Sequence, residues 1–297
     1  MKTATIIAML AAAVLLAAPA MGDWNPGDPA KWVQRPDLTD HGMDVHVSAT
    51  EFQGNMVADD YECTDPGPVT NVHLWGSWKN DQLPGLLNGT PTAVQFRLLF
   101  FSDVPAADSP TGYSMPGDLL WSGLFTSTGG IGAAGSFTAR EYATGLNEGW
   151  YDPRFGQYDP NGDTICWQYN FRLGAGMFPT EPFVQEGTPD NPMTYWLGVV
   201  AFPFEDMTGG QLSGLFGWKT SIDHWNDDAT YGYVLSGQYP EDWVELHHPT
   251  GGESLDMAFV IVPEPVSVGL LGLGTLVLLR RRRCGVAAAA RGAEGHS

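Results

Sequence analysis

This chain is short of positive charge, of cysteine and of helical periodicity, and each shortage narrows what it does. Its 297 residues carry 14 Lys and Arg against 34 Asp and Glu, a formal net charge of −20. So acidic a surface repels phosphate backbones and anionic lipid, which excludes nucleic-acid binding, while cations such as calcium are tolerated. Three cysteines, with no second cysteine or histidine at ligand spacing, exclude a zinc ribbon or a dithiol redox site. Away from the two ends, no stretch of ten or more residues repeats apolar side chains with the roughly 3.6-residue helical period, so a helical bundle or a doubly wound α/β fold is excluded. HExxH and GxSxG are absent too, leaving nucleophilic or metal-hydrolytic catalysis without a motif. We expect no catalytic residues and a protein that is not an enzyme.

What is present reads as strands. Ile165 to Arg172 alternates, with Ile165, Trp167, Tyr169 and Phe171 on one face and polar groups on the other, the pattern of a half-buried antiparallel strand. Val94–Phe101 and Tyr195–Phe202 are apolar on both faces, as strands covered on both sides are. Val69–Trp75 and Leu255–Ile261 are further candidates. Between them lie turn-forming clusters: Asp65-Pro66-Gly67-Pro68, Asn88-Gly89, Asp159-Pro160-Asn161-Gly162 and Thr250-Gly251-Gly252. Short strands with Gly/Pro-rich connections predict an all-β fold, an antiparallel β-sandwich of jelly-roll type over residues 21–262.

The two ends carry an address. Lys2, the apolar run Ala4–Ala18 and the small residues Ala18-Pro19-Ala20 read as a secretory signal over residues 1–20, to be cut by signal peptidase. At the other end, Pro263-Glu264-Pro265 precedes fourteen uncharged residues, Val266 to Leu279, closed by Arg280, Arg281, Arg282 and Arg283. A run of that length reaches roughly 21 Å as a helix, a short transmembrane anchor with its cationic side in the cytoplasm, and a tail of 284–297 follows. Pro-Glu-Pro, short apolar helix and arginine cluster in that order resemble the C-terminal sorting signal of bacterial PEP-CTERM proteins. That resemblance implies export, transient anchoring in the inner membrane, and processing by an exosortase-type transpeptidase for delivery to the cell surface or an exopolysaccharide matrix.

An exported domain meets an oxidising compartment. With Cys284 on the cytoplasmic side, Cys63 and Cys166 are expected to form a disulfide, the other reading being two buried thiols. Asp223-His224-Trp225-Asn226-Asp227-Asp228 offers oxygen ligands of the kind calcium takes, so Asp223, Asp227 and Asp228 are candidate calcium ligands; the same residues also suit a polar turn packed on Trp218 and Trp225. Asp159–Asp163 lacks the glycine and glutamate placement of an EF-hand and reads as a turn. His247-His248, Glu245, His46 and His73 have nothing in sequence that links them. Trp75, Trp78, Trp150 and Trp225 sit beside Gly, Asp or Asn and are candidates for sugar stacking, against the alternative that large aromatics fill a β core.

The interior as a whole, on Ala58-Asp59-Asp60, Trp75-Gly76-Ser77-Trp78, Glu148-Gly149-Trp150-Tyr151-Asp152-Pro153, Cys166-Trp167-Gln168-Tyr169-Asn170 and Gly217-Trp218-Lys219-Thr220, resembles a domain of secreted proteins of planctomycete-type bacteria bearing the same sorting signal. The resemblance implies the fold and the address, and no chemistry. The expected function is a non-catalytic structural or adhesive surface protein. The alternatives are a calcium-dependent carbohydrate-binding module and, third, a secreted glycan-active enzyme.

Overall fold

The computed structural model describes residues 22–50, 53–85, 89–129, 132–174, 181–203, 214–235 and 239–263. These residues form an all-β unit, and the Gly/Pro punctuation accounts for much of its segmentation. β1 (Trp32–Gln34) and β2 (Met43–His46) are short; β3 (Gln53–Cys63) and β4 (Gly67–Trp78) meet at Asp65-Pro66-Gly67, where Gly67 takes φ +115°. β5 (Val94–Val104), β6 (Met115–Thr126), β7 (Gly135–Asp152) and β8 (Gln157–Leu173) follow. Then come β9 (Val184–Gln185), β10 (Met193–Pro203), β11 (Phe216–Lys219), β12 (Thr230–Leu235), β13 (Val244–Glu245) and β14 (Phe259–Pro263).

The strands join in one large mixed sheet, ordered β1-β14-β4-β11-β2-β7-β6-β5-β10-β3-β12-β13, with β8 branching between β4 and β7. The antiparallel expectation is corrected at two places, because β7 pairs in parallel with β6 and with β2. Its length is the reason: eighteen residues let its start lie beside Phe125 and Thr126 while its end reaches Met43–Val45. β7 thereby connects the β1-β14-β4-β11-β2 strands to the β6-β5-β10-β3 strands.

Both groups send alternate side chains into one core. Val57 and Tyr61 of β3, Phe96, Leu98 and Phe100 of β5, and Leu197 and Val199 of β10 meet Val72 and Leu74 of β4, Tyr169 and Phe171 of β8, and Phe259 and Ile261 of β14. Phe96 anchors it, its ring centroid 5.0–5.3 Å from those of Phe137, Tyr169, Phe171 and Phe216. Burial of one such ring is worth about 1.5–3 kcal/mol. The opposite parity is covered as well: Met56, Ala58, Leu99, Phe101, Trp196 and Val200 pack under Trp243, while Trp75, Cys166, Ala258 and Val260 pack under Trp24. β8 is therefore not half-buried as its alternation predicts. Its polar face is buried too, where Gln168 donates to the Trp24 carbonyl at 2.9 Å and Asn170 meets His73 at 2.6 Å.

Two further expectations change. Asp159-Pro160-Asn161-Gly162 lies within β8 as a bulge, since Trp150 pairs with Asp159 and Glu148 with Asp163; the hairpin turn comes earlier, at Pro153–Gly156, with Gly156 at φ +59°. Leu255–Ile261 supplies a strand only from Phe259, Met257 making an isolated bridge to Thr220. Among the described residues no helix is long and apolar enough to cross a membrane. The signal over 1–20, Glu264 and Pro265, the span 266–279, Arg280–Arg283 and the tail 284–297 lie outside the described residues; Pro263 ends β14.

Candidate functional site

The residues predicted to face a ligand turn inward. Trp75 and Trp78 are 0% exposed and Trp150 1%, so of the two readings these three take core packing and present no sugar-stacking face. Trp75 stands edge-on to Trp24 and Tyr142, Trp78 donates to the Tyr169 hydroxyl at 2.9 Å, and Trp150 sits against His46 under the Lys79 ammonium. Trp225 is half-buried, edge-on to Trp32 at 5.2 Å. Cys63 and Cys166 are both free and buried, which corrects the disulfide. Cys63 points into the main core and Cys166 into the layer beneath Trp24, because they fall on opposite faces of their strand groups.

The three aspartates have separate partners. Asp223 takes a fork from Arg35, Nη2 at 2.6 Å and Nε at 2.9 Å, and that hydrogen bonding holds its carboxyl below the usual range. Asp227 accepts from the Ser114 amide at 2.6 Å and its hydroxyl at 2.8 Å. Asp228 meets His247 Nδ1 at 2.9 Å and the Ser254 hydroxyl. Asp228, Glu245 and His247 have ligand atoms within 4.8 Å of one another, so His247 and Glu245 gain a partner that nothing in sequence joined to them.

Two buried acidic groups stand apart from these. In the first, Lys219 at the end of β11 has its Nζ 2.5 Å from Asp44 Oδ2 of β2 and 2.5 Å from Glu148 Oε2 of β7. All three side chains are 0% exposed. Asp163, in the β8 bulge, completes the group: one atom each from Asp44, Glu148 and Asp163 lie within 4.8 Å of one another. Among the described residues no donor stands in good geometry to either Asp163 oxygen, to Asp44 Oδ1 or to Glu148 Oε1, and Ser77 is the hydroxyl near enough to draw Asp44 and Asp163 down. Burial pushes Glu148 up to about 7 and Asp163 to about 10, each raised further by Asp44. Burial alone would discharge Lys219, yet Asp44 and Glu148 outweigh it and hold the ammonium above its ordinary range.

The second group is carried by Asp59 and Asp60 in β3 and by Asp256. Asp59 is well provided, its Oδ2 accepting from Met257 N at 2.6 Å and Gln34 Nε2 at 3.1 Å, its Oδ1 from Asp60 N at 2.9 Å. Asp60 accepts from Asn226 Nδ2 at 2.5 Å and Asp256 from Trp225 N at 2.8 Å, but Asp60 Oδ1 and Asp256 Oδ1 have no donor. Burial pushes Asp60 up to about 8 and Asp256 to about 7, and neighbouring carboxylates add to both shifts. A small pocket of about 200 Å³ opens beside them between His224, Asn226 and Ser254. Sequence reasoning quoted Asp59, Asp60, Glu148 and Lys219 without assigning them a role. Their signal was charge where alternation leaves no solvent: Asp-Asp inside the apolar run Val57–Tyr61, and Lys219 following Trp218 in a short strand.

An open groove of about 680 Å³ is lined by Leu120, Trp121, Phe183 and Tyr195 with Asp103, Glu181 and Glu186. Trp121 donates to the Glu181 carbonyl at 3.1 Å. Residues 30–262 match the family described as Domain of unknown function (DUF7901). No curated protein and no solved structure matches the chain.

Proposed function

From a chain that belongs to the DUF7901 domain family over residues 30–262, we infer a non-catalytic, structural or adhesive protein of the cell surface, exported and sorted by its C-terminal signal into an exopolysaccharide matrix. One observation carries the reading: the polar and aromatic groups that chemistry would use are turned into the fold. Trp75, Trp78 and Trp150 are spent on packing, and the two buried acidic groups meet other side chains and backbone amides. We read the packing of the two strand groups on one core as a β-sandwich, the architecture such surface domains use. The partners are the signal peptidase and the exosortase-type transpeptidase that would act at Pro263-Glu264-Pro265.

The test is fractionation of a bacterium that carries the transpeptidase and expresses the full chain. The expected result is processed protein in the matrix fraction, and retention in the inner membrane when Arg280, Arg281, Arg282 and Arg283 are all changed to Ala. Unprocessed wild-type protein in the cytosol would overturn the reading.

The groove beside Trp121 favours a second reading, carbohydrate binding at a place other than the predicted tryptophans. It predicts saturable binding to one glycan class on an array, lost in Trp121→Ala and kept in Trp225→Ala. Binding that disappears on chelation would bring calcium, and with it Asp227 and Asp228, into that reading.

A further inference from the structure

The Lys219 group has the parts of a condensation reaction. Lys219 and Asp44 are directly opposite in the β11–β2 ladder, so the backbone delivers the amine to the carboxyl without a search through side-chain conformations. Nζ lies at 2.5 Å from Asp44 Oδ2, and a second carboxyl, Glu148, touches the same nitrogen at 2.5 Å. Among the described residues Glu148 Oε1 and both oxygens of Asp163 have no well-aligned donor, and Asp163 hydrogen-bonds Glu148, an arrangement that one proton shared between those carboxyls would satisfy. All of this is sealed from solvent, with the Trp150 ring over Gly217, where an added Cβ would stand 2.8 Å from the indole and 2.6 Å from the Asp44 Cβ.

We propose that Lys219 and Asp44 condense into an amide that cross-links β11 to β2, with Glu148 as the catalytic proton carrier. The reaction begins when the ammonium proton passes to the Asp44 carboxylate, turning an ion pair into an amine and an acid. Burial pushes the Asp44 carboxyl up and so works for that exchange, while Asp44 and Glu148 hold the ammonium and work against it, which makes the proton transfer the uphill step of the reaction. The Nζ lone pair then attacks Asp44 Cγ; the N–C bond forms and the carbonyl pair moves onto oxygen. Glu148 takes a proton from nitrogen and returns it to the departing hydroxyl. The C–O bond breaks, water leaves, and Glu148 ends as it began. Nothing is oxidised or reduced. Asp163, pushed up to about 10 by burial, stays protonated at neutral pH and keeps a proton within reach of Glu148.

Two buried charges are replaced by a neutral amide, which removes the cost of keeping them dry. The bond would join strands 175 residues apart in sequence, the restraint that the unlinked Cys63 and Cys166 do not supply.

Mass spectrometry of the denatured, reduced full chain decides the matter. Relative to Lys219→Arg, and after allowing for the residue change, wild type is expected to be lighter by one water. Tryptic digestion should leave Lys219 uncleaved and joined to the peptide holding Asp44. Asp44→Asn is expected to link with loss of ammonia instead, and Glu148→Gln to remain unlinked. Wild type at its full sequence mass, with cleavage after Lys219 and a linear Asp44 peptide, overturns the proposal whether or not any variant folds. A link that maps to Glu148 overturns the assignment of roles.

Discussion

The two buried acidic groups solve the same problem differently. Around Asp44, Glu148 and Asp163 the chain supplies its own cation, Lys219, fully buried and in contact with two of the three. Around Asp59, Asp60 and Asp256 the donors are an asparagine, a glutamine and backbone amides, and the nearest basic side chain is the half-exposed His224, 3.6 Å from Asp256. Charge is neutralised by a lysine and a proton on Asp163 in one place and by protons alone in the other. The first group should depend chiefly on one residue, the second chiefly on pH.

Removing the lysine is the largest way to break the comparison. Lys219→Met leaves the buried Asp44 and Glu148 carboxyls without their counter-charge, and losing one partner of a buried pair costs about 3–5 kcal/mol. A drop of that order in urea denaturation at neutral pH is expected. Replacing Asp44 as well, with Leu, should recover much of it, because a dry apolar pair needs no compensation. If the double variant is no more stable than Lys219→Met, the carboxyls were not the source of the cost.

The strands of the core were legible because alternation reports burial: β5 and β10 lie where their apolar runs place them, and β4 extends its run at both ends. The acidic groups were not legible, for the same physical reason. Alternation assigns a charged residue to solvent, and Asp60 or Lys219 escapes that rule only because a second layer, under Trp243 or at β7, closes over the outer face. The tryptophans failed in the same direction. Neighbouring Gly and Asp suggest loops, but Gly76 beside Trp75 is a site of close strand approach, where a Cβ would stand 2.2 Å from the Gly217 carbonyl. The Asp159–Gly162 cluster has turn chemistry and uses it in a bulge, where Asn161 N donates to Asp159 at 3.1 Å. Pairing across long separations, such as Lys219 with Asp44, leaves no local mark.

The pH effect comes next in size. Asp60, Asp256 and Glu148 are held at about 8, 7 and 7 in the fold, whereas the unfolded chain ionises such groups near 4. A raised carboxyl favours the folded state below the unfolded value, and that contribution is lost as pH climbs through the folded value. Stability should therefore fall between about pH 4 and pH 8, opposite to the usual trend for salt-bridged carboxylates. Asp60→Asn keeps the shape and removes one titration, so it should be more stable than wild type at about pH 9 and indistinguishable only below the unfolded value, at about pH 3. Parallel pH profiles for the two proteins would show that Asp60 is ionised throughout.

Asn226 tests the proton-based group from its donor side. It stands at φ +57°, a left-handed conformation that Asn tolerates and Ala resists, and among the described residues it is the donor that reaches the Asp60 carboxyl. Asn226→Ala is expected to cost about 1–3 kcal/mol, the penalty of an abandoned buried acceptor plus backbone strain. Asn226→Gly removes the strain and keeps the loss, so the difference between the two separates the terms. Equal stabilities would assign the whole effect to the hydrogen bond.

Asp223 should matter least, although sequence reasoning placed it with Asp227 and Asp228. Its partner Arg35 reaches it from the surface, and an exposed pair trades a small Coulomb gain against the entropy of holding a long side chain. Its carboxyl is held below the usual range by that arginine, so its contribution is present at neutral pH and fades as pH falls below the unfolded value, the reverse of Asp60. Asp223→Asn is expected to leave the denaturation midpoint at neutral pH within experimental scatter of wild type. A loss as large as that of Asn226→Ala would mean that the Arg35 fork closes the loop over Asp256, and that the acid group without a lysine borrows a cation after all.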